Sequence, residues 1–343
     1  MFLKTAIKRK VLLYTIVIFI VISITSYIFH NNIRDRSKLD RTPKKVTIAS
    51  VNDLHAAVVN LAFKKGYFKD EGLDADIVQH SFGKAALKTM IAGNADFAAV
   101  AETPVMFSIL KGEKIYILSS IQNSAKAAFV IARKDSGIST VDTLNGKTIG
   151  IPKGTTGDYF FYLFCMVHGI KYSELKFIDK KPEELLDALL RGEVDAVSVW
   201  QPYALEILKR LSDKVTVFQI EGIYTATFTL TAKQEYVQRN PEIVERILAG
   251  LYRAEQFMRQ EPVKSQEILA DCCKLDIAMV QELWGVNNFD LTLDQYLVNL
   301  LDNEAQWAIS EHIVETHVDA DYLDYIYLSG LKKVKPYAVS IIK

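Results

Sequence analysis

Gly154-Thr155-Thr156 follows, after Pro152-Lys153, an apolar run ending at Ile151 and opens a helical pattern. A loop so placed exposes backbone N–H groups and hydroxyls at a helix N-terminus, a surface suited to a sulfonate, a carboxylate or a ring carbonyl. The same residues suit an ordinary strand-to-helix turn with Thr155 or Thr156 as N-cap, and both readings stand at this point. Gly83, between Phe82 and Lys84, repeats the setting after another strand-like run. Neither is a phosphate loop, because the pattern Gly-x-x-x-x-Gly-Lys-Ser/Thr is absent. Trp200 closes an apolar run just before Gln201-Pro202. A Trp there stacks on a flat ligand or packs between strand and helix. His55 is either a donor toward a ligand or a helix-surface side chain, and no neighbouring partner makes it catalytic.

Catalytic chemistry finds no other foothold. There is no Gly-x-Ser-x-Gly elbow and no His-Glu-x-x-His. The cysteines are Cys165, Cys272 and Cys273. An odd number without Cys-x-x-Cys spacing supplies no disulfide framework, zinc site or iron cluster, so packing is their expected role. No catalytic residue, metal or cofactor is expected.

The elements that must position these residues alternate along the chain. Strands are predicted at 45–50, 75–79, 96–100, 115–121, 127–133, 147–151, 175–178, 195–200, 215–218 and 224–231. Helices fall between several of them, at 54–65, 84–92, 104–110, 156–168, 183–191 and 202–211. From 241 onward only helical patterns remain, at 241–260, 263–272, 277–285 and 293–310. Such alternation predicts an α/β protein with mainly parallel sheets. An internal repeat sharpens the picture: residues 86–100 parallel residues 185–199, each an amphipathic helix ending in Gly-x-x-Asp that feeds an apolar strand. Asp96 and Asp195 therefore predict two similar lobes with a cleft between them.

Length agrees, since 343 residues exceed what one core usually carries, and 50% hydrophobic with 24% charged residues excludes a disordered chain. The first 45 residues hold ten basic and two acidic side chains, a net of +8, which leaves −8 on the remainder. An acidic body without a basic stripe speaks against nucleic acid. Residues 11–29 carry no charge and are long enough, as a helix, to cross a bilayer. An uncleaved transmembrane anchor is favoured over a removed signal peptide, because bulky residues occupy the place of a small-x-small cleavage site. Residues 31–45 then read as a polar linker.

Residues 61–73, Ala92-Gly-Asn-Ala-Asp-Phe97, residues 144–152 and Gly192-Glu-Val-Asp-Ala196 with Trp200-Gln-Pro202 together resemble the substrate-binding proteins of ABC importers. The group that looks most similar is the nitrate/sulfonate/taurine and thiamine-pyrimidine-precursor binding proteins. The resemblance implies the type II periplasmic-binding-protein fold, two α/β lobes joined by two crossover strands near 125–129 and 222–227. It divides the chain into 46–127 and 226–330 for lobe one, 128–225 for lobe two and 331–343 as a C-terminal tail, after an anchor or signal segment at 1–30. It also implies a monomer outside the cytoplasmic membrane that hands a small organic ligand to an ABC permease and ATPase. A ligand-sensing module of a signalling system is the alternative.

Ligands of open α/β sheets bind beyond the carboxyl ends of the strands. In lobe one those loops carry Asn52, Asp53 and His55, then Phe82, Gly83 and Lys84, then Glu102 and Thr103. In lobe two they carry Gly154, Thr155 and Thr156, then Trp200 and Gln201, while Asn123, Ser124 and Tyr224 lie beside the crossovers. Asp53 and Glu102 would repel a bare inorganic anion by several kcal/mol and pair with an amino group. The aromatic-x-Pro frequent after the first strand of the resembled family is also missing. An amine-bearing or heterocyclic ligand is therefore expected over nitrate or bicarbonate.

Overall fold

The computed structural model describes residues 43–126, 128–220, 222–315 and 317–342. The expected anchor at 11–29 and most of the linker lie outside them. Among the described residues no helix is long and apolar enough to cross a membrane.

All ten predicted strands form: β1 (Lys44–Val51), β2 (Leu73–His80), β3 (Phe97–Ala101), β4 (Ile115–Ser124), β5 (Ala128–Arg133), β6 (Thr148–Ile151), β7 (Lys176–Asp179), β8 (Ala196–Trp200), β9 (Val215–Phe218) and β10 (Ala226–Lys233). The helices of the alternating part are α1 (Ala57–Lys64), α2 (Tyr67–Asp70), α3 (Gly83–Ile91), α4 (Glu102–Leu110), α5 (Thr156–His168), α6 (Leu185–Leu190) and α7 (Tyr203–Leu211). The later helices are α8 (Gln234–Arg239), α9 (Pro241–Gln260), α10 (Pro262–Cys273), α11 (Ile277–Trp284), α12 (Gln295–Ser310) and α13 (Leu328–Val334).

The strands make two five-stranded sheets with one plan, β2-β1-β3-β10-β4 and β7-β6-β8-β5-β9. In each sheet the fourth strand runs antiparallel to both neighbours and arrives from the other sheet: β10 lies between β3 and β4, and β5 between β8 and β9. The chain therefore crosses between lobes twice, from β4 to β5 and from β9 to β10. Central strands β3 and β8 are buried nearly throughout, which explains why they read as unbroken apolar runs.

The repeated Gly-x-x-Asp acts alike in both sheets. Gly93 and Gly192 have φ of +81° and +69°, a conformation glycine adopts without strain, and end their helices. Asp96 Oδ2 then accepts the Thr47 N–H at 2.8 Å, and the Asp96 N–H donates to the Thr47 carbonyl at 2.9 Å. Asp195 does the same to Thr148, at 2.9 and 2.8 Å. Each Asp thus pins the start of the neighbouring strand and sets the parallel register.

Two expectations need adjustment. The linker does not reach Lys45, because the Lys44 N–H bonds to the Gly72 carbonyl at 3.1 Å and lets β1 pair with β2 from Leu73 onward. Helix α13 runs across position 330, with Gly330 close against Leu248 of α9. Beyond it Lys335 is buried, with Nζ 2.8 Å from both oxygens of Glu255, and Ile341 is buried too. Cys165, Cys272 and Cys273 are all free thiols.

Candidate functional site between the lobes

Two helix N-termini from opposite lobes face one small cavity. Helix α3 starts after Phe82 and α5 after Thr155, and neither N-cap side chain bonds to its helix. The Thr155 hydroxyl instead donates back to the Pro152 carbonyl at 2.6 Å. Leading N–H groups left without a side-chain cap, reinforced by the helix dipoles, favour an anion or a carbonyl oxygen. Gly83 is required by close approach, since a Cβ there would lie 3.1 Å from Val100 Cα and from the Phe228 ring.

Of the sixteen residues singled out from the sequence, the cavity wall contains Asp53, His55, Phe82, Gly83, Lys84, Thr155, Thr156 and Trp200. The space inside is small, about 30 Å³ for the centres of water-sized molecules. That is room for two or three such centres, at roughly 10–15 Å³ each. The lobes are shut across it. Lys84 Nζ donates to the Lys153 carbonyl at 2.5 Å, the Tyr203 hydroxyl to the Ser81 carbonyl at 2.6 Å, and the Ser81 hydroxyl to Glu183 at 3.2 Å. Burial lowers the pKa of Lys84, partly countered by Asp179.

The other eight residues turn elsewhere. Asn52 donates to the Cys273 carbonyl at 2.7 Å, and Gln201 accepts the Leu205 N–H at 3.0 Å at the start of α7. Ser124 donates to the Val286 carbonyl at 2.6 Å, and the Asn123 backbone pairs with Asn288. The Gly154 N–H goes to Asp158 at 2.8 Å. Thr103 donates to Glu304 at 2.5 Å, while the Tyr224 hydroxyl donates to Glu102.

The two carboxylates therefore differ from their expected roles. Asp53 does reach the cavity wall, yet its Oδ1 already accepts the His55 N–H at 2.8 Å and lies 3.0 Å from His55 Nδ1. Glu102 is wholly buried one layer behind, where it accepts the Thr227 N–H at 3.0 Å. Burial pushes its pKa up to about 7, against the lowering effect of the bonds from Tyr224, its own backbone and Thr227. With Glu102 withdrawn behind the wall, only Asp53 stands at the cavity as a carboxylate that disfavours an anion or pairs with an amino group, and its Oδ1 is shared with His55. Lys84 is the one Lys or Arg in the wall.

Sequence reasoning missed Val51, Ala101, Pro104, Gln122, Ala226, Thr227 and Phe228. Gln122 is instructive: a strand alternates its faces, so placing Asn123 at the site put the side chain one residue out of phase. Its amide also donates to Asn287 at 2.6 Å. Phe228 pairs with Gln122 across β10 and β4 and lies 5.4 Å from the His55 ring.

A second, larger hollow of about 670 Å³ opens where α5 of lobe two meets α12 of lobe one. Tyr159, Tyr162, Tyr224, Tyr296 and Trp307 line it, with Asn299, Asn303 and Gln306. Tyr159 meets Tyr224 edge-on at 5.5 Å and Trp307 at 5.2 Å.

Comparison with known proteins agrees with this architecture. A Brucella abortus protein named as a binding protein is 28% identical over 228 residues, spanning 66% of this chain and 70% of its own. A Bacillus subtilis protein named for binding aliphatic sulfonates is 27% identical over 228 residues, 65% of this chain and 68% of its own. Among solved structures, the alkanesulfonate-binding protein SsuA from Xanthomonas axonopodis pv. citri bound to MOPS superposes with a TM-score of 0.73. It covers 83% of this chain and 98% of its own at 16% identity, which establishes the two-lobe fold. The family model described as NMT1/THI5 like matches residues 53–265, more than half of the sequence, and the chain belongs to that family.

Proposed function

We propose that this protein is the extracytoplasmic solute-binding component of an ABC importer, and that it closes on a small organic anion of the sulfonate class. The observation that carries the reading is the convergence of the uncapped N-termini of α3 and α5, from opposite lobes, on a cavity whose one Lys or Arg is Lys84. In this reading the anionic head lies between Lys84, the Thr156 hydroxyl and the two helix starts. Phe82, Trp200 and Phe228 enclose the organic part, and the engaged Asp53–His55 pair and Gln122 set the polar boundary. A ligand with an added ammonium, as in taurine, has Asp53 within the same wall.

Ligand bridging the lobes stabilises the shut form, which presents surfaces of both lobes to a permease and its ATPase. The family relatives described above are binding proteins, so catalysis has no support, and the sensing alternative has no counterpart among them. Residues 11–29 would hold the receptor at the membrane face. The small cavity favours short-chain sulfonates over bulky ones.

Thermal unfolding of the full-length chain with ethanesulfonate, taurine, nitrate and an aminopyrimidine tests the reading. A bound sulfonate at a hundredfold excess over its Kd should add about 2.7 kcal/mol of stability. Stabilisation by the aminopyrimidine alone, with both sulfonates silent, would overturn the ligand class.

A further inference from the structure

Glu102 and Glu304 are two wholly buried carboxyl groups that the ligand reading does not use. Glu102 opens α4, and Glu304 lies on α12, which packs against α4. Thr103 donates to one oxygen of Glu304, and the other oxygen has no partner. Glu102 takes its bonds from Tyr224 and Thr227, on and just before β10, so it grips the second crossover. Among the described residues no Lys or Arg bonds to either group. The titratable groups around the pair are His55 after β1, Tyr159 on α5, Tyr224 on the crossover, Tyr296 on α12 and Tyr322.

Lobe two supplies the cover. Its Tyr159 lies against both Tyr224 and Trp307, and Tyr162 stands 5.7 Å from Trp307. Opening the lobes withdraws α5 and readmits water to this side of the pair. Two carboxylates buried on packed helices, with no Lys or Arg among the described residues bonded to either, are costly to desolvate, so the shut form retains protons that the hydrated form releases. Burial raises Glu304 well above the ordinary carboxylate range, and Glu102 more moderately.

We propose that Glu102 and Glu304 are positioning residues of a proton-linked latch: closing lobe two over lobe one makes the pair take up a proton from solvent, and Glu102 then holds the crossover in its closed bend. The proposal rests on the reading that the lobes close on a ligand. Its sign follows from linkage: the closed form binds more protons than the open one, so acidification favours closure and tightens the ligand. One proton taken up gives up to about tenfold in Kd per pH unit, levelling off once the closed form too is deprotonated.

The test uses the full-length chain with a donor and an acceptor dye attached through non-natural side chains at exposed positions 190 and 263, one on each lobe. Energy transfer in the ligand-free chain should rise as pH falls from 8 to 5.5, and ethanesulfonate should bind up to tenfold more tightly per unit. Glu102→Gln and Glu304→Gln, which keep shape but hold no titrating proton, should flatten both profiles. A wild-type transfer signal independent of pH, or a full pH slope surviving in the Gln variants, overturns the latch. Should ethanesulfonate fail to bind at every pH, the ligand class falls, while the ligand-free transfer signal still decides the latch.

Discussion

Replacing Lys84 by Met removes the one Lys or Arg in the cavity wall and the 2.5 Å bond that crosses to the Lys153 carbonyl of the other lobe, while leaving a stem of similar length. A unit charge about 4 Å from a bound sulfonate, at an effective dielectric near 20, contributes roughly 4 kcal/mol. Loss of water around the ammonium offsets part of that, as the downward pKa shift of Lys84 shows. A net loss of about 2 to 3 kcal/mol remains, roughly 30- to 150-fold in Kd. Isothermal titration of wild-type and Lys84→Met protein with ethanesulfonate at neutral pH measures it. The lowered pKa adds a pH signature: the ammonium is lost as pH rises through a value below the ordinary lysine range, taking the affinity with it. A change of less than threefold, or an equal loss for an uncharged ligand, would refute the assignment of Lys84 to the anion.

Two further outcomes concern the frame that holds the site. Asp96→Ala and Asp195→Ala each remove the carboxylate that accepts a strand-start N–H, at 2.8 and 2.9 Å, and should each cost about 1.5 to 3 kcal/mol in urea unfolding. Unequal costs, with one variant near zero, would show that the two copies do not share a role. Lys335→Met leaves Glu255 buried beside Asp290 with the Leu291 N–H and, as its one cationic partner, the exposed Arg259, and should cost about 3 to 5 kcal/mol. A loss under about 1 kcal/mol would mean that the carboxyl simply takes a proton instead.

The shared sheet order gives the two lobes a common way to face each other. In both, the first three strands of the order run parallel and place their carboxyl ends, with the loops that follow, at the cleft. That is why loops 99 residues apart in the repeat frame, and unrelated in sequence, meet across one cavity. The large aromatic hollow at α5 and α12 lies on the same boundary, so its walls belong to both lobes and move with closure.

What the sequence alone determined is what short-range patterning encodes. Apolar runs, helical periodicity and the two Gly-x-x-Asp stops are local, so the ten strands, the parallel character and the doubled lobe were readable before any coordinates. Half of the residues expected at the cleft line the cavity for the same reason, because strand ends and helix starts mark the cleft loops. Tertiary structure alone decided which side chains on those loops reach the cavity. Asn52 was drawn away by a carbonyl 221 residues distant, and Glu102 by a hydroxyl 122 residues distant. The phase of β4, which brings Gln122 rather than Asn123 inward, depends on its pairing with β10. Charge at the cleft was likewise a tertiary matter: a carboxylate repels an anion at the cleft only while it is ionised and near it, and burial, partners and placement govern both.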